Sequence, residues 1–265
     1  MLGIHQSFDN PMSSIANIAA RLGCDTFQIF IRNNRNLKQR FVTKEEMTKF
    51  NAEFIKNDLK CWVCHAPYIM NPSSPEDSKR ERATAIVQSE FSFLYNLSGP
   101  IYYVLHPGSH MSDVRMGYWR LFNFLKEVQN PYITVCLEYM AGAGTELLSS
   151  SYYCSEFMKH CEEAGLNVGL TLDTCHVYAS GESISKAYEE LKKWVKVIHW
   201  NGSSYQLGSH MDRHESLTKG YIPLAAVEFL KDVPDTVPII LETPAYCQLF
   251  DLQFAKDFLG ISAQN

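Results

Sequence analysis

The sequence predicts one α/β domain over residues 1–265, a (β/α)8 TIM barrel. Two observations predict this fold class. Eight short apolar stretches alternate with helical patterns, and no Pro- or Ser-rich linker or charge block divides them. Such alternation is typical of parallel strands joined by right-handed crossovers. The strand-like stretches also end on polar side chains, and a barrel gathers its strand ends into a ring on one face.

Each predicted strand is a short apolar run, often with β-branched or aromatic residues. The runs span 2–6, 26–31, 61–66, 101–106, 133–138, 168–173, 195–200 and 238–242. An open, doubly wound sheet is the competing architecture for this order of elements. The barrel is favoured because an open sheet would spread the polar strand ends along a line.

Helices are predicted from amphipathic periodicity and from local start and stop signals. They span 11–22, 44–58, 75–96, 114–129, 152–164, 183–193, 223–231 and about 251–258. Thr43 and Glu46 form a capping box, and Pro75 takes a first helical position. Gly23 and Gly165 follow helix ends as C-caps.

Apolar residues make up 46% of the chain, which is enough for a large core. No run of ~18 consecutive apolar residues occurs, so we expect no membrane span. The first five residues lack the basic and apolar regions of a signal peptide and have the pattern of a strand. We therefore expect an intracellular and soluble protein, and we also expect a monomer.

The cysteines are scattered along the chain, several of them within apolar runs. We interpret them as reduced core thiols, since free Cys behaves as a small hydrophobe. Cys61 and Cys64 form a C-x-x-C pair, but two strand residues that are three apart point to opposite faces. We therefore do not expect this pair to chelate one ion.

Polar residues stand at or near the ends of the predicted strands, in the order His5, Gln28, His65, His106, Glu138, Asp173, His199 and Glu242. An ionised carboxylate is costly to bury without a cation or access to water. Imidazole and carboxylate at equivalent positions therefore predict a metal cluster, and this mixture suits zinc, with manganese or iron next in preference. The candidate ligands are His65, His106, Glu138, Asp173, His176, His199, Asp212, His214 and Glu242.

The segment Asp212-Arg213-His214 lies in a long loop, 202–220, that is rich in Gly and Ser. Loops of this length in compact domains are usually functional or disordered. Alternate residues of an extended segment point the same way, so Asp212 and His214 can bind one ion while Arg213 faces outward. An Arg in that place is suited to contact a phosphate.

The net charge of −5 at first argues against a nucleic acid as the partner. Four of the acids are candidate metal ligands, and without them the remaining charge is −1. Bound divalent cations would make the site itself positive. The overall charge therefore leaves the nature of the partner open.

A series of segments, in this order along nearly the whole chain, resembles endonuclease IV, the family of zinc-dependent apurinic/apyrimidinic endonucleases. They are His65 with Tyr68, LHPGSH (105–110), LE (137–138) with AGAG (141–144), LDTCH (172–176), HWN (199–201), DRH (212–214) and LETP (241–244). Together these motifs are highly specific, whereas any one alone is weak.

The resemblance implies a TIM barrel with three Zn²⁺ ions and an active site at the carboxyl ends of the strands. It also implies a DNA-repair hydrolase of deoxyribonuclease IV type, which cleaves 5′ to an abasic site and leaves a 3′-hydroxyl and a 5′-deoxyribose phosphate. Glu138 and Glu242 would be catalytic. The implied ligand groups are His65 and His106 with a bridging Glu138; Glu138 with Asp173, His199 and Glu242; and His176, Asp212 and His214.

The partner that the resemblance implies is double-stranded DNA with an abasic site. Arg35 and Tyr68 would press into the duplex at the lesion, and Arg213 would also contact the DNA. An abasic nucleotide has lost its stacking, so turning it out of the helix is cheap compared with a normal base.

This chain departs from the family pattern at three places. They are QSFDNP (6–11) in place of a small, Gly-rich stretch, Tyr139-Met140 in place of Asn-Thr, and Gly202 in place of an acidic residue. These changes lie at the cleft wall and around the metal ligands, where they are expected to affect efficiency and secondary activities. All nine ligand positions keep the expected residue types.

The residues leave two other functions open. A barrel sugar isomerase or epimerase would use one or two divalent cations, but such sites are usually richer in carboxylates, so the many histidines and loop 202–220 favour the nuclease. A non-catalytic binder of damaged DNA would keep the fold without turnover, and the complete ligand set argues against it. His110, His160 and His210 are expected not to be ligands, with His160 exposed on a helix.

Overall fold

A computed structural model of the chain describes residues 1–7, 12–33, 37–38 and 42–261. The barrel strands are β1 (Leu2–Gln6), β2 (Thr26–Phe30), β3 (Trp62–His65), β4 (Ile101–Leu105), β5 (Ile133–Glu138), β6 (Val168–Asp173), β7 (Val195–His199) and β10 (Ile239–Leu241). Two short strands, β8 (Gly202–Ser203) and β9 (His214–Glu215), form a separate sheet. The eight barrel strands close in the order β1-β10-β7-β6-β5-β4-β3-β2, and every neighbouring pair is parallel. This closure confirms the predicted fold and excludes the open sheet.

Helices alternate with the barrel strands along most of the chain. The described helices are α1 (Met12–Arg21), α2 (Lys44–Lys56), α3 (Asp77–Leu94), α4 (Val114–Val128), α5 (Ser151–Glu163), α6 (Thr174–Ser180), α7 (Ile184–Leu191), a 3-10 helix (Leu224–Asp232) and α8 (Gln248–Leu259). In the described ranges, none of these helices has the length and apolar character needed to span a bilayer.

Local signals account for several helix ends. The Thr43 hydroxyl accepts a hydrogen bond from the Glu46 backbone N–H at 3.1 Å, which confirms the predicted N-cap of α2. Gly23 and Gly165 adopt φ of +63° and +67°, as expected of residues that follow a helix end. The placement of Pro75 at the first helical position is wrong. The N–H of Glu76 bonds the Ser74 hydroxyl at 3.1 Å, which keeps this segment in a turn until α3 begins at Asp77.

Two predicted elements need correction, and one helix was not predicted. The segment predicted as a helix over 223–231 is a 3-10 helix, whose geometry places the buried Val227 and Leu230 on one side because residues three apart eclipse. Helix α8 begins at Gln248, before the predicted start. Helix α6 was not predicted, because its single stretch of seven residues is too short for a periodic pattern.

The apolar core has two parts, one on each face of the barrel wall. The larger cluster lies between the strands and the helices and includes Trp62 and Cys64. The smaller cluster fills the barrel interior with Cys61, Val63, Val104, Cys136, Val197 and Ile240. Cys61 and Cys64 therefore face opposite sides, as predicted, and the free cysteines are all buried.

The interior cluster explains which side chains reach the mouth of the barrel. Strand side chains alternate between faces, so the residue two places after an interior residue also points inward. On five strands that next residue is a candidate ligand. The interior residues Val63, Val104, Cys136, Val197 and Ile240 are followed by His65, His106, Glu138, His199 and Glu242.

Candidate metal centre

The structure brings all nine predicted ligand residues together at the carboxyl ends of the strands. They form groups whose possible ligand atoms lie within 4.8 Å of one another. Three of these groups are His65, His106 and Glu138; Glu138, Asp173, His199 and Glu242; and His176, Asp212 and His214. The membership matches the three sets that the resemblance implies. A further group joins Cys175 to Asp173 and His214.

Glu138, at the end of β5, faces the first two groups at once. Its Oε2 lies 3.2 Å from Nε2 of His65 and 3.0 Å from Nε2 of His106. Its Oε1 lies 3.1 Å from Nδ1 of His199. The Nδ1 of His65 lies 2.7 Å from the carbonyl oxygen of Ala66, which leaves Nε2 free to face the cluster. This carboxylate is thus placed to bridge two ions.

His199, at the end of β7, is surrounded by acidic oxygens. Its Nδ1 lies 3.1 Å from Oε2 of Glu242 and 3.6 Å from Oδ2 of Asp173, in addition to Glu138. Its Nε2 donates to Oε1 of Gln28 at 2.8 Å. A polar partner on one ring nitrogen sets the tautomer and aims the other nitrogen, as is usual for metal-binding histidines.

The third group combines the first turn of α6 with the loop after β7. Nε2 of His176 lies 3.2 Å from Oδ1 of Asp212, and Nε2 of His214 lies 3.4 Å from the same oxygen. Both Nε2 atoms are buried and have no hydrogen-bond partner within the described ranges. Nδ1 of His176 bonds the carbonyl oxygen of Tyr139 at 2.9 Å, and Nδ1 of His214 bonds that of Glu242 at 3.3 Å. Two orphaned nitrogens therefore converge on one carboxylate.

The spacing of these atoms tests whether a zinc ion fits. Two ligand atoms at about 2.0–2.1 Å from a tetrahedral zinc are about 3.3 Å apart. The nitrogen–oxygen separations in the first and third groups run from 3.0 to 3.4 Å. Donor types and separations both fit zinc, and such an ion would satisfy the orphaned Nε2 atoms of the third group.

The electrostatics of the site favour cations. Burial lowers the pKa of His176, but the carboxylates of Asp173 and Asp212 outweigh burial and raise this pKa well above its usual range. Burial likewise lowers the pKa of His199, and Glu242 and Glu138 raise it further than burial lowers it. The clustered acidic groups, most of them buried, thus favour positive charge among them, which divalent cations can supply.

Two amide side chains support the ligands, a role that no pattern in the sequence indicated. Nε2 of Gln28 donates to Oε1 of Glu242 and lies 3.0 Å from Nδ1 of His5. Burial lowers the pKa of His5 to about 4, with Glu242 opposing the shift. His5 is therefore neutral and can accept. Asn201 donates from Nδ2 to Oδ2 of Asp173 at 2.8 Å.

The residues expected to contact DNA lie at the mouth of the site where they are described. Tyr68 is 45% exposed, and its ring centroid lies 5.2 Å from that of His106. Arg213 is exposed and donates to the carbonyl oxygen of Asp212 at 2.7 Å, in the outward position that was predicted. Arg35 falls outside the described residues. His160 is exposed on α5, as expected.

The departures from the family pattern have local structural reasons. Tyr139 is fully buried and bonds Ser180 through its hydroxyl at 3.1 Å. A Cβ at Gly202 would lie 2.3 Å from the carbonyl oxygen of Ser216, so no side chain fits there. Of the departure at 6–11, residues 8–11 fall outside the described residues. His110 and His210, expected not to be ligands, are absent from the ligand groups found among the described residues.

This fold, with ligand groups gathered at one end of the strands, is that of the xylose isomerase-like TIM barrels, whose family model matches residues 16–257. The probable endonuclease 4 of Metamycoplasma arthritidis (strain 158L3-1) is 35% identical over 268 residues, which cover 92% of this chain and 92% of that protein. That of Clostridium botulinum (strain Alaska E43 / Type E3) is 32% identical over 260 residues, with the same coverage of both. The chain belongs to the endonuclease IV family.

Solved structures share the fold. The endonuclease IV from Thermus thermophilus superposes with a TM-score of 0.84 at 24% identity, covering 98% of this chain and 99% of that one. A D-tagatose 3-epimerase-like protein superposes with a TM-score of 0.76 at 18% identity, covering 98% and 97%. The barrel is therefore common to nucleases and sugar epimerases, and the fold alone does not separate them.

Proposed function

We propose that the protein is a DNA-repair apurinic/apyrimidinic endonuclease of endonuclease IV type. It hydrolyses the phosphodiester 5′ to an abasic site with a three-zinc cluster and leaves a 3′-hydroxyl and a 5′-deoxyribose phosphate. The observation that carries this proposal is the third ligand group, in which the buried Nε2 atoms of His176 and His214 lack hydrogen-bond partners in the described structure and face Asp212. Membership of the endonuclease IV family supports the same reaction.

The nine side chains would hold three ions. His65 and His106 would hold the first, and Glu138 would be shared between it and the second, whose other ligands would be Asp173, His199 and Glu242. His176, Asp212 and His214 would hold the third. Three Zn²⁺ ions against four carboxylates leave a charge of about +2, which suits a phosphodiester substrate.

When bound, zinc supplies a Lewis acid that makes hydroxide available near neutral pH and offsets the charge that develops on a phosphodiester. The protein contributes the geometry. Glu138 faces two groups with its two oxygens and fixes their separation. Gln28 holds Oε1 of Glu242, which leaves Oε2 at the cluster, 3.1 Å from Nδ1 of His199, where it can accept a proton from the attacking water.

The rim would select the damaged nucleotide. Arg35 and Tyr68 would press into the duplex at the lesion, and Arg213 would contact a phosphate from the exposed side of its loop. The half-exposed ring of Tyr68 lies against the imidazoles of His65 and His106, at centroid distances of 5.1 and 5.2 Å. Such a ring can occupy the space left by a missing base directly above the cluster.

Incubation with a duplex that holds one abasic analogue tests the function. We expect nicking without added Mg²⁺, loss of nicking with a zinc chelator, and recovery when zinc is restored. Sizing the products from both ends would locate the cut 5′ to the lesion. A duplex left intact in the presence of zinc would contradict the proposal.

Substitution of Glu242 tests the mechanism separately. Glu242→Gln keeps the shape of the side chain and its contact with Gln28 but removes the charge that accepts a proton. We expect nicking to be abolished while the thermal unfolding midpoint stays near that of the wild type. Turnover at the wild-type rate would exclude Glu242 from the reaction.

The sugar epimerase remains the alternative, and the number of bound metals separates the two functions. An epimerase would hold one or two Mn²⁺ or Mg²⁺ ions, and it has no use for the separate group of His176, Asp212 and His214. Metal analysis of the purified protein that finds about three zinc ions supports the nuclease. One or two Mn²⁺ or Mg²⁺ ions would support the epimerase.

A further inference from the structure

Asp251 is a buried carboxylate that lies outside the ligand groups. It stands in the first turn of α8 and is fully buried. Its Oδ1 accepts from the Ser216 hydroxyl at 2.7 Å and from the Leu217 backbone N–H at 3.2 Å. Its Oδ2 is buried without a partner in the described part of the chain. Because a buried carboxylate is costly, these two bonds to another segment indicate a specific task.

The segment that Asp251 holds follows directly on a ligand. The strands β8 (Gly202–Ser203) and β9 (His214–Glu215) form a small antiparallel hairpin, and Ser216 comes next in the chain. The loop between β8 and β9 carries Asp212, and β9 begins with His214. Ser216 lies two residues beyond His214, a distance of about 7 Å along an extended chain.

Ser216 is the point where the hairpin meets the barrel. Its carbonyl oxygen packs against Gly202 and accepts from the Gly220 N–H at 3.0 Å. Its hydroxyl donates a hydrogen bond to Asp251, which ties Ser216 to α8. Ser216 is also 1% exposed, so its position has little freedom. Displacement of Ser216 would therefore move His214.

The start of α8 makes two more contacts with segments that lead into the site. The Tyr246 hydroxyl donates to a carboxylate oxygen of Glu215, beside His214. The Gln248 amide donates to the carbonyl oxygen of His5 at 3.0 Å. The stretch 246–251 thus contacts both the hairpin and the end of β1. Of Tyr246, Gln248 and Asp251, only Asp251 is fully buried.

We infer that Asp251 is a positioning residue for the metal centre: through Ser216 it holds the hairpin so that Asp212 and His214 meet His176 at ligand distance. This inference rests on the proposed function, since it assigns an ion to the third group. Asp251 bonds the Ser216 hydroxyl and the Leu217 N–H and none of the ligand side chains, so it acts on His214 through the chain that joins them. Its effect is therefore largest at the third group, because the first two groups stand at the ends of the barrel strands and His214 reaches them only through its contacts with Asp173 and the Glu242 carbonyl oxygen.

Zinc titration against a chromophoric chelator tests the inference without measuring activity. We expect the wild type to hold three ions and Asp251→Ala to bind one of them roughly 10- to 100-fold more weakly, as is typical when support of a ligand is lost. Asp251→Asn keeps an oxygen at the Oδ1 position for both donors and should retain three ions at wild-type affinity. Asp257→Ala is the matched control, because Asp257 is an exposed carboxylate on the same helix.

Ser216→Ala provides a second variant in case Asp251→Ala does not fold. It removes the hydroxyl that Asp251 binds, and we expect the same selective weakening of one ion. Wild-type affinity for all three ions in both Asp251→Ala and Ser216→Ala would overturn the inference while leaving the proposed function intact. Equal weakening of all three ions would overturn it as well. A wild-type protein that holds fewer than three ions would overturn the three-zinc proposal itself.

Discussion

Asn201 and Asp173 are joined by a hydrogen bond of 2.8 Å from Nδ2 of the amide to Oδ2 of the carboxylate. Oδ1 of the same Asn201 accepts from the backbone N–H of Glu242 at 2.9 Å. A single buried amide thereby fixes the position of two acidic residues at the ends of different strands. Bonds of this kind orient metal ligands and are nearly as important as the ligands.

Asn201→Ala is expected to weaken zinc binding at the second group roughly 10- to 100-fold, because Asp173 and the backbone at Glu242 lose their common partner. Zinc titration against a chelator measures this change. Asn123→Ala is the control, since Asn123 is a half-buried residue of α4 whose amide donates to the carbonyl oxygen of Trp119 in its own helix at 2.8 Å. Equal zinc affinity in the two variants would show that Asn201 does not orient the ligands.

Gly202→Ala is expected to destabilise the hairpin, because the added Cβ would lie 2.3 Å from the backbone oxygen of Ser216. Overpacking of this kind costs about 1–3 kcal/mol, which urea unfolding would detect. We also expect weaker zinc binding at the third group. Gly165→Ala is the control, since a Cβ there meets nothing within 4 Å and bears only the strain of a φ of +67°. A stability loss no greater than that of the control would contradict the prediction.

Glu90 is expected to make stability depend on pH. This buried carboxylate lies 3.2 Å from Nε of Arg32 and accepts from the Tyr103 hydroxyl. Burial raises its pKa to about 7, with Tyr103 and Arg32 opposing the shift. Because the folded-state pKa is raised, the contribution to stability is full below pH 4.5 and is lost as pH rises through 7.

Urea unfolding of the wild type and of Glu90→Gln at pH 5 and pH 8 tests this dependence. We expect the free energy of unfolding of the wild type, relative to that of the variant, to fall by about 3 kcal/mol as the pH rises from below 4.5 to above 7. Most of this fall lies between the two measured pH values. The variant carries no titrating group at this position. Glu156→Gln, an exposed acid on α5, should follow the wild type. Parallel pH profiles for the wild type and Glu90→Gln would contradict the prediction.

Tyr68→Ala is expected to weaken binding to a duplex with an abasic site by about 1–3 kcal/mol, the usual contribution of an aromatic ring that stacks on bases. Zinc content should stay unchanged, because Tyr68 belongs to none of the ligand groups found in the described ranges. Equilibrium binding under a non-catalytic condition, such as the Glu242→Gln background, separates affinity from cleavage. Tyr132→Ala is the control, since Tyr132 is exposed just before β5, at the opposite end of the barrel. Equal affinities for Tyr68→Ala and the control would remove Tyr68 from the DNA interface.

The barrel and the gathering of the strand-end ligands at its mouth were accessible from the sequence because both depend on simple periodicity, whereas the division of the ligands into three groups came from the resemblance to the endonuclease IV family. Val63 and His65 illustrate this: alternation along β3 sends both inward, and the polar residue comes last, where the barrel opens. The same alternation places Asp212 and His214 on one side of their loop, with Arg213 on the other. Local rules therefore predicted that these side chains lie at the same end of the barrel.

Features that depend on tertiary contacts could not be predicted from the sequence. Asp173 caps α6 by accepting from the His176 N–H at 3.0 Å, and this turn returns the imidazole to the site within a helix too short to leave a pattern. Gln28 stood among the polar strand ends, but it bears no charge and is no metal ligand by type, so its bonds to His199 and Glu242 could not be predicted. Asp251 had the appearance of an ordinary helical acid.

The central claim is that nine side chains hold three zinc ions at the mouth of the barrel. Anomalous diffraction at the zinc absorption edge, from crystals of the zinc-loaded protein, measures this most directly. The account predicts three peaks, one within each group, with the first two on either side of Glu138 and the third between His176 and His214. No peak at the third group, or peaks away from these side chains, would contradict it.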